Sequence, residues 1–148
     1  MSSHHATIRW HHDGAPFTYE TYSRTHTWRF PGGSNVRAAA APAFRGDPAL
    51  VDPEEAFVAA LASCHLLTFL ALAAREGLTV EAYEDDAEGT LATNDAGRLA
   101  ITRVVLRPRV TFGGEAPDAP LVERLHARAH AECFIANSVR TEVVVEPR

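Results

Sequence analysis

Residues 56–74, "AFVAALASCHLLTFLALAA", carry no charged side chain over 19 positions, and any fold for this chain must find a place for them. As a helix the run is long enough to span a bilayer. Seven of the 19 are alanine, Ser63, Cys64, His65 and Thr68 add polarity, and acids rather than bases crowd its N-terminal flank. A membrane span would carry an aromatic belt and basic flanks instead. An all-round apolar helix equally suits the interior of a protein. We read it as the central helix of a soluble domain, packed against more than its own sheet. Its ends are legible. Asp52 is a good N-cap, Pro53 suits the first helical position, and Glu54 and Glu55 complement the positive end of the dipole. Gly77 after Arg75 and Glu76 is a good C-cap, so the predicted helix spans 53–76.

The first 41 residues read as a strand region: "ATIRWHH", "FTYETYSRTHTWRF" and "SNVRAAAA" are rich in β-branched and aromatic residues, with "PGG" at 31–33 as a turn. Residues 42–52, with two prolines and a glycine, read as a connecting loop. After the helix, 79–93 and 97–112 are predicted as two strands joined by the turn "NDAG". A second helix is predicted over 118–132, with Leu121, Val122, Leu125 and Ala129 on one face, and "RTEVVVEP" closes as a strand. There is no repeat, low-complexity tract or interdomain linker. The order predicts one α+β domain over 1–148 whose antiparallel sheet packs on the helices.

Composition narrows the functional classes. At 46% hydrophobic and 22% charged, the 148-residue chain has ordinary globular character. A net charge of −5 leaves no basic surface for phosphates and argues against a general nucleic-acid binder. The N-terminal "MSSHHATIRW" lacks the apolar stretch of a signal peptide, and two cysteines are too few for a secreted disulfide framework. The expected setting is a reducing cytoplasm, with no membrane or nucleic-acid partner. Any disulfide there would be transient and chemical.

Cys64 lies inside the uncharged helix, and taken alone it reads as apolar packing. It sits about 16 Å along the helix from Pro53, too far for the dipole of its own helix to help a thiolate. Cys133, in "AHAECFIANSV" where the second helix ends, is the only other cysteine. One cysteine in a helix interior and one at a helix terminus suit a pair that forms a disulfide transiently, although two inert thiols would give the same spacing.

These two segments carry a family resemblance. "DPEEAFVAALASCHLLTFLALA" and "AHAECFIANSV", with the element order, resemble the OsmC/Ohr family of thiol-dependent peroxidases over nearly the whole chain. The resemblance implies an OsmC-like fold in an intertwined homodimer, with peroxidatic Cys64, resolving Cys133, Glu54 as the acid ten positions before Cys64, and Arg24 in "YSRTHTWRFPGG" as the active-site arginine. Arg29 is the second candidate for that arginine. It further implies an organic hydroperoxide, hydrogen peroxide or both as substrate, an external dithiol reductant, in the family often a lipoyl group, and no metal or organic cofactor. The chain departs from the family at Asp52, where relatives often carry Asn, at His65, where many carry an apolar aromatic, and at Phe134, where many carry proline. These differences mark a distinct subgroup.

The physical reading runs in parallel. A thiolate, not a thiol, is the nucleophile, and an arginine near Cys64 would favour it at any working pH. Glu54 would pair with Arg24 and fix the guanidinium. With neither helix break nor kink between them, Glu54 and Cys64 are separated by about 15 Å along one helix, so a site shared by both requires a second subunit. The rival reading is metal binding: His126, His130 and Cys133 fall at i, i+4 and i+7, and His65 would complete a zinc-like set. A third is a non-enzymatic dimeric stress protein with both cysteines inert.

Overall fold

The computed structural model describes all of residues 1–148. The chain forms two compact units, Met1–Ala56 and Phe57–Arg148.

In the first unit, β1 (Thr7–Arg9), β2 (His26–Arg29) and β3 (Asn35–Ala38) make an antiparallel sheet in the order β1-β2-β3. The turn at 31–33 holds as predicted, with Gly33 at φ +90° and Phe30 N–H donating to the Ser34 carbonyl. The predicted strand from Phe17 does not begin until His26. Between them the chain closes on itself: Thr18 N–H donates to Pro16 O at 3.0 Å, Tyr22 N–H to Thr18 O at 3.0 Å, and the Thr18 and Thr21 hydroxyls meet at 2.9 Å. Local bonds of this kind compete with a ladder and win where Thr and Pro are close together. The 42–52 loop contains one 3₁₀ turn, Pro42–Phe44. At Gly46 a Cβ would stand 1.4 Å from the Ala40 carbonyl oxygen, so no other residue fits there.

α1 (Pro53–Arg75) starts on a reciprocal cap: Glu55 N–H donates to Asp52 Oδ1 at 2.8 Å and Asp52 N–H to Glu55 Oε2 at 3.1 Å. Gly77, at φ +75°, ends it as predicted. Its apolar 18-residue window has mean hydropathy 2.1, enough in length and composition for a membrane span. Here that apolarity builds two cores.

The strands after α1 differ from the prediction. Each of the two long strands divides, giving β4 (Thr79–Asp85), β5 (Glu88–Thr93), β6 (Leu99–Leu106) and β7 (Pro108–Gly113). Only β5 and β6 pair across the "NDAG" turn, while β4 pairs with β7 in a separate two-stranded sheet. The break has a local cause: Asp85 Oδ1 takes the Arg107 N–H at 2.7 Å, and Pro108 offers no N–H to continue the ladder. α2 (Ala119–Glu132) is capped by Asp118, whose carboxylate accepts from Leu121 N–H at 2.8 Å. β8 (Glu142–Val145) then joins β6 in parallel, correcting the all-antiparallel expectation. The return through α2 is the kind of helical crossover that a parallel pairing needs.

One core gathers Leu61, Val104 and Leu106, with Val58, Ile101 and Val143 against them. The other gathers Phe69, Leu72, Ala73, Leu125 and Ala129, with Tyr83 and Phe112 against them. β5 passes so close to α1 that a Cβ on Gly89 would lie 2.5 Å from Val58 Cγ2. One row of α1, comprising Ala60, Ser63, Leu67, Ala71 and Ala74, remains exposed.

Candidate functional site

The second unit brings the two cysteines together. Cys64 is half-buried in the middle of α1, and Cys133 is buried at the C-cap of α2. Both are free thiols, close enough for Cys64 to influence the protonation of Cys133. The Cys133 sulfur also accepts the Ala136 N–H at 3.4 Å. Burial pushes the Cys133 thiol up to about 11, the neighbouring Cys64 adds to the rise, and the backbone N–H groups of Ala136 and Ile135 partly oppose it. Cys133 therefore keeps its proton at neutral pH. Thr68 Oγ1 donates to the Cys64 carbonyl at 2.9 Å, so the oxygen one turn back gains a second partner.

Beside the thiols, α1 and α2 also meet through two imidazoles. His65 is fully buried and His126 is 4% exposed, with His65 Nε2 3.1 Å from His126 Nδ1 and the ring planes 3° from parallel. His126 stacks on Phe69 with ring centroids 4.3 Å apart. Burial lowers both histidines to about 4, and neighbouring His126 and His130 contribute to the shift at His65. The pair is thus neutral. The sequence offered His126 as a hydrogen-bonded helix residue or, with His65, as a metal ligand; no three His, Cys, Asp or Glu side chains converge in a metal-holding group. The readable signal was His65 itself, a titratable ring in a 19-residue uncharged run. Tyr83 and Asp85, one strand pleat apart on β4, were not anticipated. Burial raises both, and Tyr83 Oη and Asp85 Oδ2 have no hydrogen-bond partner.

Arg24 and Glu54 both belong to the first unit. The Arg24 guanidinium donates from Nη1 to Tyr22 O at 2.6 Å and from Nη2 to Tyr19 O at 2.5 Å, and it lies 3.8 Å from the Tyr22 ring centroid. Its buried Nε has no partner. No ion pair joins it to Glu54, because the two carbonyls already hold the guanidinium. Arg29 sits exposed at the end of β2. Arg24 also lines an apolar pocket of about 340 Å³ with Trp10, Phe17, Tyr22, His26 and Pro53. Trp10 is fixed there by its indole N–H, which donates to Ser23 O at 2.7 Å, and its ring meets Phe17 edge-on at 5.8 Å. The aromatic alternation in "FTYETY" was read as strand; Phe17 and Tyr22 instead wall this pocket.

Comparison with known proteins gives one consistent outcome. Residues 46–148 match the model of the OsmC-like protein family. An OsmC-like protein of unknown function from Vibrio cholerae has a structure that superimposes with TM-score 0.96 at 49% identity over 100% of both chains. The organic hydroperoxide resistance protein OhrB of Bacillus subtilis superimposes with TM-score 0.71 at 18% identity, over 99% of this chain and 98% of that one. The uncharacterized protein YmaD of the same organism is 26% identical over 97 residues, a match spanning 64% of this chain and 64% of that protein.

Proposed function

Given that the chain belongs to the OsmC-like protein family, with the OsmC-like α+β fold, we propose that it is a thiol-dependent peroxidase that reduces organic hydroperoxides. The observation that carries this reading is the closeness of Cys64 and Cys133, which come from different helices and influence one another's protonation. The Cys64 thiolate attacks the O–O bond, an oxygen transfers to sulfur, and the alcohol leaves with a proton, giving a sulfenic acid. Cys133 then attacks that sulfur, water departs, and a disulfide protects Cys64 from further oxidation. An external dithiol of lipoyl type restores both thiols by exchange in a reducing cytoplasm.

The half-exposure of Cys64 and the burial of Cys133 fit this division of labour, since the residue meeting substrate must be reachable. Within the first unit, the aromatic pocket beside Arg24 has the size and lining to suit an apolar organic group. We further propose that a second copy covers the exposed row of α1, where Leu67 is 64% exposed, and that the active form is this homodimer.

Mass spectrometry after one equivalent of cumene hydroperoxide tests the reading. The wild type is expected to lose two hydrogens and show a Cys64–Cys133 linkage, and the Cys133→Ser variant is expected to hold a sulfenic acid at Cys64. Unreacted thiols would overturn it. Leu67→Glu addresses the dimer by sedimentation: a monomer with full activity would remove the second copy from the account.

A further inference from the structure

The end of α2 runs into a tight turn that the scheme above leaves unused. Cys133 closes α2 with extended backbone, φ −71° and ψ 112°. Ile135 then returns to helical values, φ −69° and ψ −42°, ahead of the 3₁₀ turn Ala136–Ser138. Extended backbone just before a helical turn is the setting of an N-cap, where a side chain accepts an N–H two or three residues on. Here a sulfur fills that role: the Ala136 N–H donates to Cys133 Sγ at 3.4 Å, and the Asn137 N–H donates to the Cys133 carbonyl at 3.0 Å. The turn is tied down on two sides. Asn137 is exposed, yet its Nδ2 reaches back across Cys133 and donates to Ala131 O at 2.9 Å, one of the last carbonyls of α2, which have no helical partner. Ser138 Oγ donates to Phe134 O at 2.7 Å, and Ile135 and Ala136 pack against the core of Leu61, Val104 and Leu106.

Resting on the peroxidase reading, we propose that Asn137 is a positioning residue, which holds the Ala136 N–H on Cys133 Sγ so that this sulfur can carry negative charge at the two points of the cycle that demand it. A sulfur 1% exposed has almost no water to stabilise such a charge, and an N–H bond to it strengthens as the charge builds. The first point is disulfide formation. Cys133 gives its proton to water, its electron pair makes the S–S bond, the Cys64 S–O bond breaks, and the departing hydroxide takes up a proton and becomes water. The donor raises the thiolate fraction more than it blunts the nucleophile, because nucleophilicity follows proton affinity with a slope of only about 0.4–0.5. The second point is reduction. The external dithiol meets the half-buried Cys64 rather than the buried Cys133. One of its thiolates bonds to Cys64 Sγ, the protein S–S bond breaks, and the electron pair passes to Cys133, which then takes up a proton. The second thiolate of the dithiol attacks its own bound sulfur, closes a disulfide within the reductant and frees Cys64 as a thiolate. A sulfur of lower proton affinity leaves faster, so one N–H serves both steps.

The test uses Asn137→Asp, which keeps the shape of the side chain without its donor, and Asn137→Ala. Asp118→Ala is the control for helix stability, since it removes the cap at the opposite end of α2. After a rapid pulse of cumene hydroperoxide at neutral pH, acid-quench mass spectrometry follows sulfenic acid and disulfide separately, and the preformed disulfide is then reduced with dihydrolipoamide. Sulfenic acid is expected to form at the wild-type rate in all three variants. Disulfide formation and reduction should each slow about 10-fold in both Asn137 variants and stay at the wild-type rate in Asp118→Ala. Hydrogen exchange read by NMR on the reduced protein supplies the structural signature: the Ala136 amide should be protected in the wild type and exchange about 10-fold faster in Asn137→Ala. Asn137 variants with wild-type rates in both thiol steps would overturn the positioning role, and so would an equal slowing in Asp118→Ala. Absence of sulfenic acid in the wild type would overturn the peroxidase reading instead. Should both Asn137 variants fail to fold, the wild-type exchange decides, and an unprotected Ala136 amide rejects the proposal.

Discussion

The two cores built on α1 differ in what they tolerate. Around Leu61, Val104 and Leu106 every buried side chain is apolar. Around Phe69, Leu72 and Leu125 the same helix buries His65, His126 and the Tyr83 hydroxyl, with several of their polar atoms unpartnered. A buried polar atom without a partner costs roughly 1–3 kcal/mol, so only the first core is built for stability alone. The second carries that cost beside the thiols.

The difference can be broken most severely at the thiol. Cys64→Ser is expected to lower hydroperoxide consumption by at least about 1,000-fold without changing the melting temperature by more than a few degrees, in line with loss of the nucleophile rather than of packing. Removing one anchor from each core comes next. Leu61→Ala is expected to cost about 2–5 kcal/mol in urea denaturation and Phe69→Ala about 3–5, but only Phe69→Ala should also move the acid limb of the pH–stability curve, because His126 stacks on that ring. Equal changes in the acid limb would erase the distinction.

Acid should separate the cores too. His65 and His126 are held near 4, against about 6.5 in an unfolded chain. Below about 6.5 the unfolded chain takes up protons that the native pair refuses. Stability is therefore full above about pH 6.5, declines as pH falls and stops declining once the native pair titrates near 4. The loss is of order 3 kcal/mol per imidazole. A double variant, His65→Leu with His126→Leu, should flatten that part of the pH–stability curve. In the apolar core, Gly89→Ala is expected to cost about 1–3 kcal/mol by pressing on Val58, and Val58→Ala should recover most of it. At the surface, Arg109→Ala breaks an exposed ion pair with Glu84 and should shift stability by no more than about 1 kcal/mol.

Much of this was legible in the residues. The ends of α1 and α2 were readable because Asp52, Gly77 and Asp118 carry their signals within a few positions. The break at Arg107–Pro108 was harder to read, since Asp85 enforces it from 22 residues away. The parallel entry of β8 depends on the path through α2, and no local pattern in "RTEVVVEP" distinguishes parallel from antiparallel. Cys64 and Cys133 were readable as a pair, and the fold places the two thiols near one another. The His65–His126 contact spans 61 residues; spacing along α2 alone grouped His126 with His130 and Cys133 instead.

The seclusion of Cys133 makes the protein its own gauge of motion. A thiol 1% exposed at the end of α2 reacts with an alkylating reagent only when that helix end lifts away from α1. At low reagent concentration its labelling rate measures the free energy of that local opening, without any introduced probe. Cys64, on the more open side of the same junction, supplies the reference rate. The ratio of the two, followed as α1 is altered, tells how tightly the helices are held while the rest of the molecule stays folded.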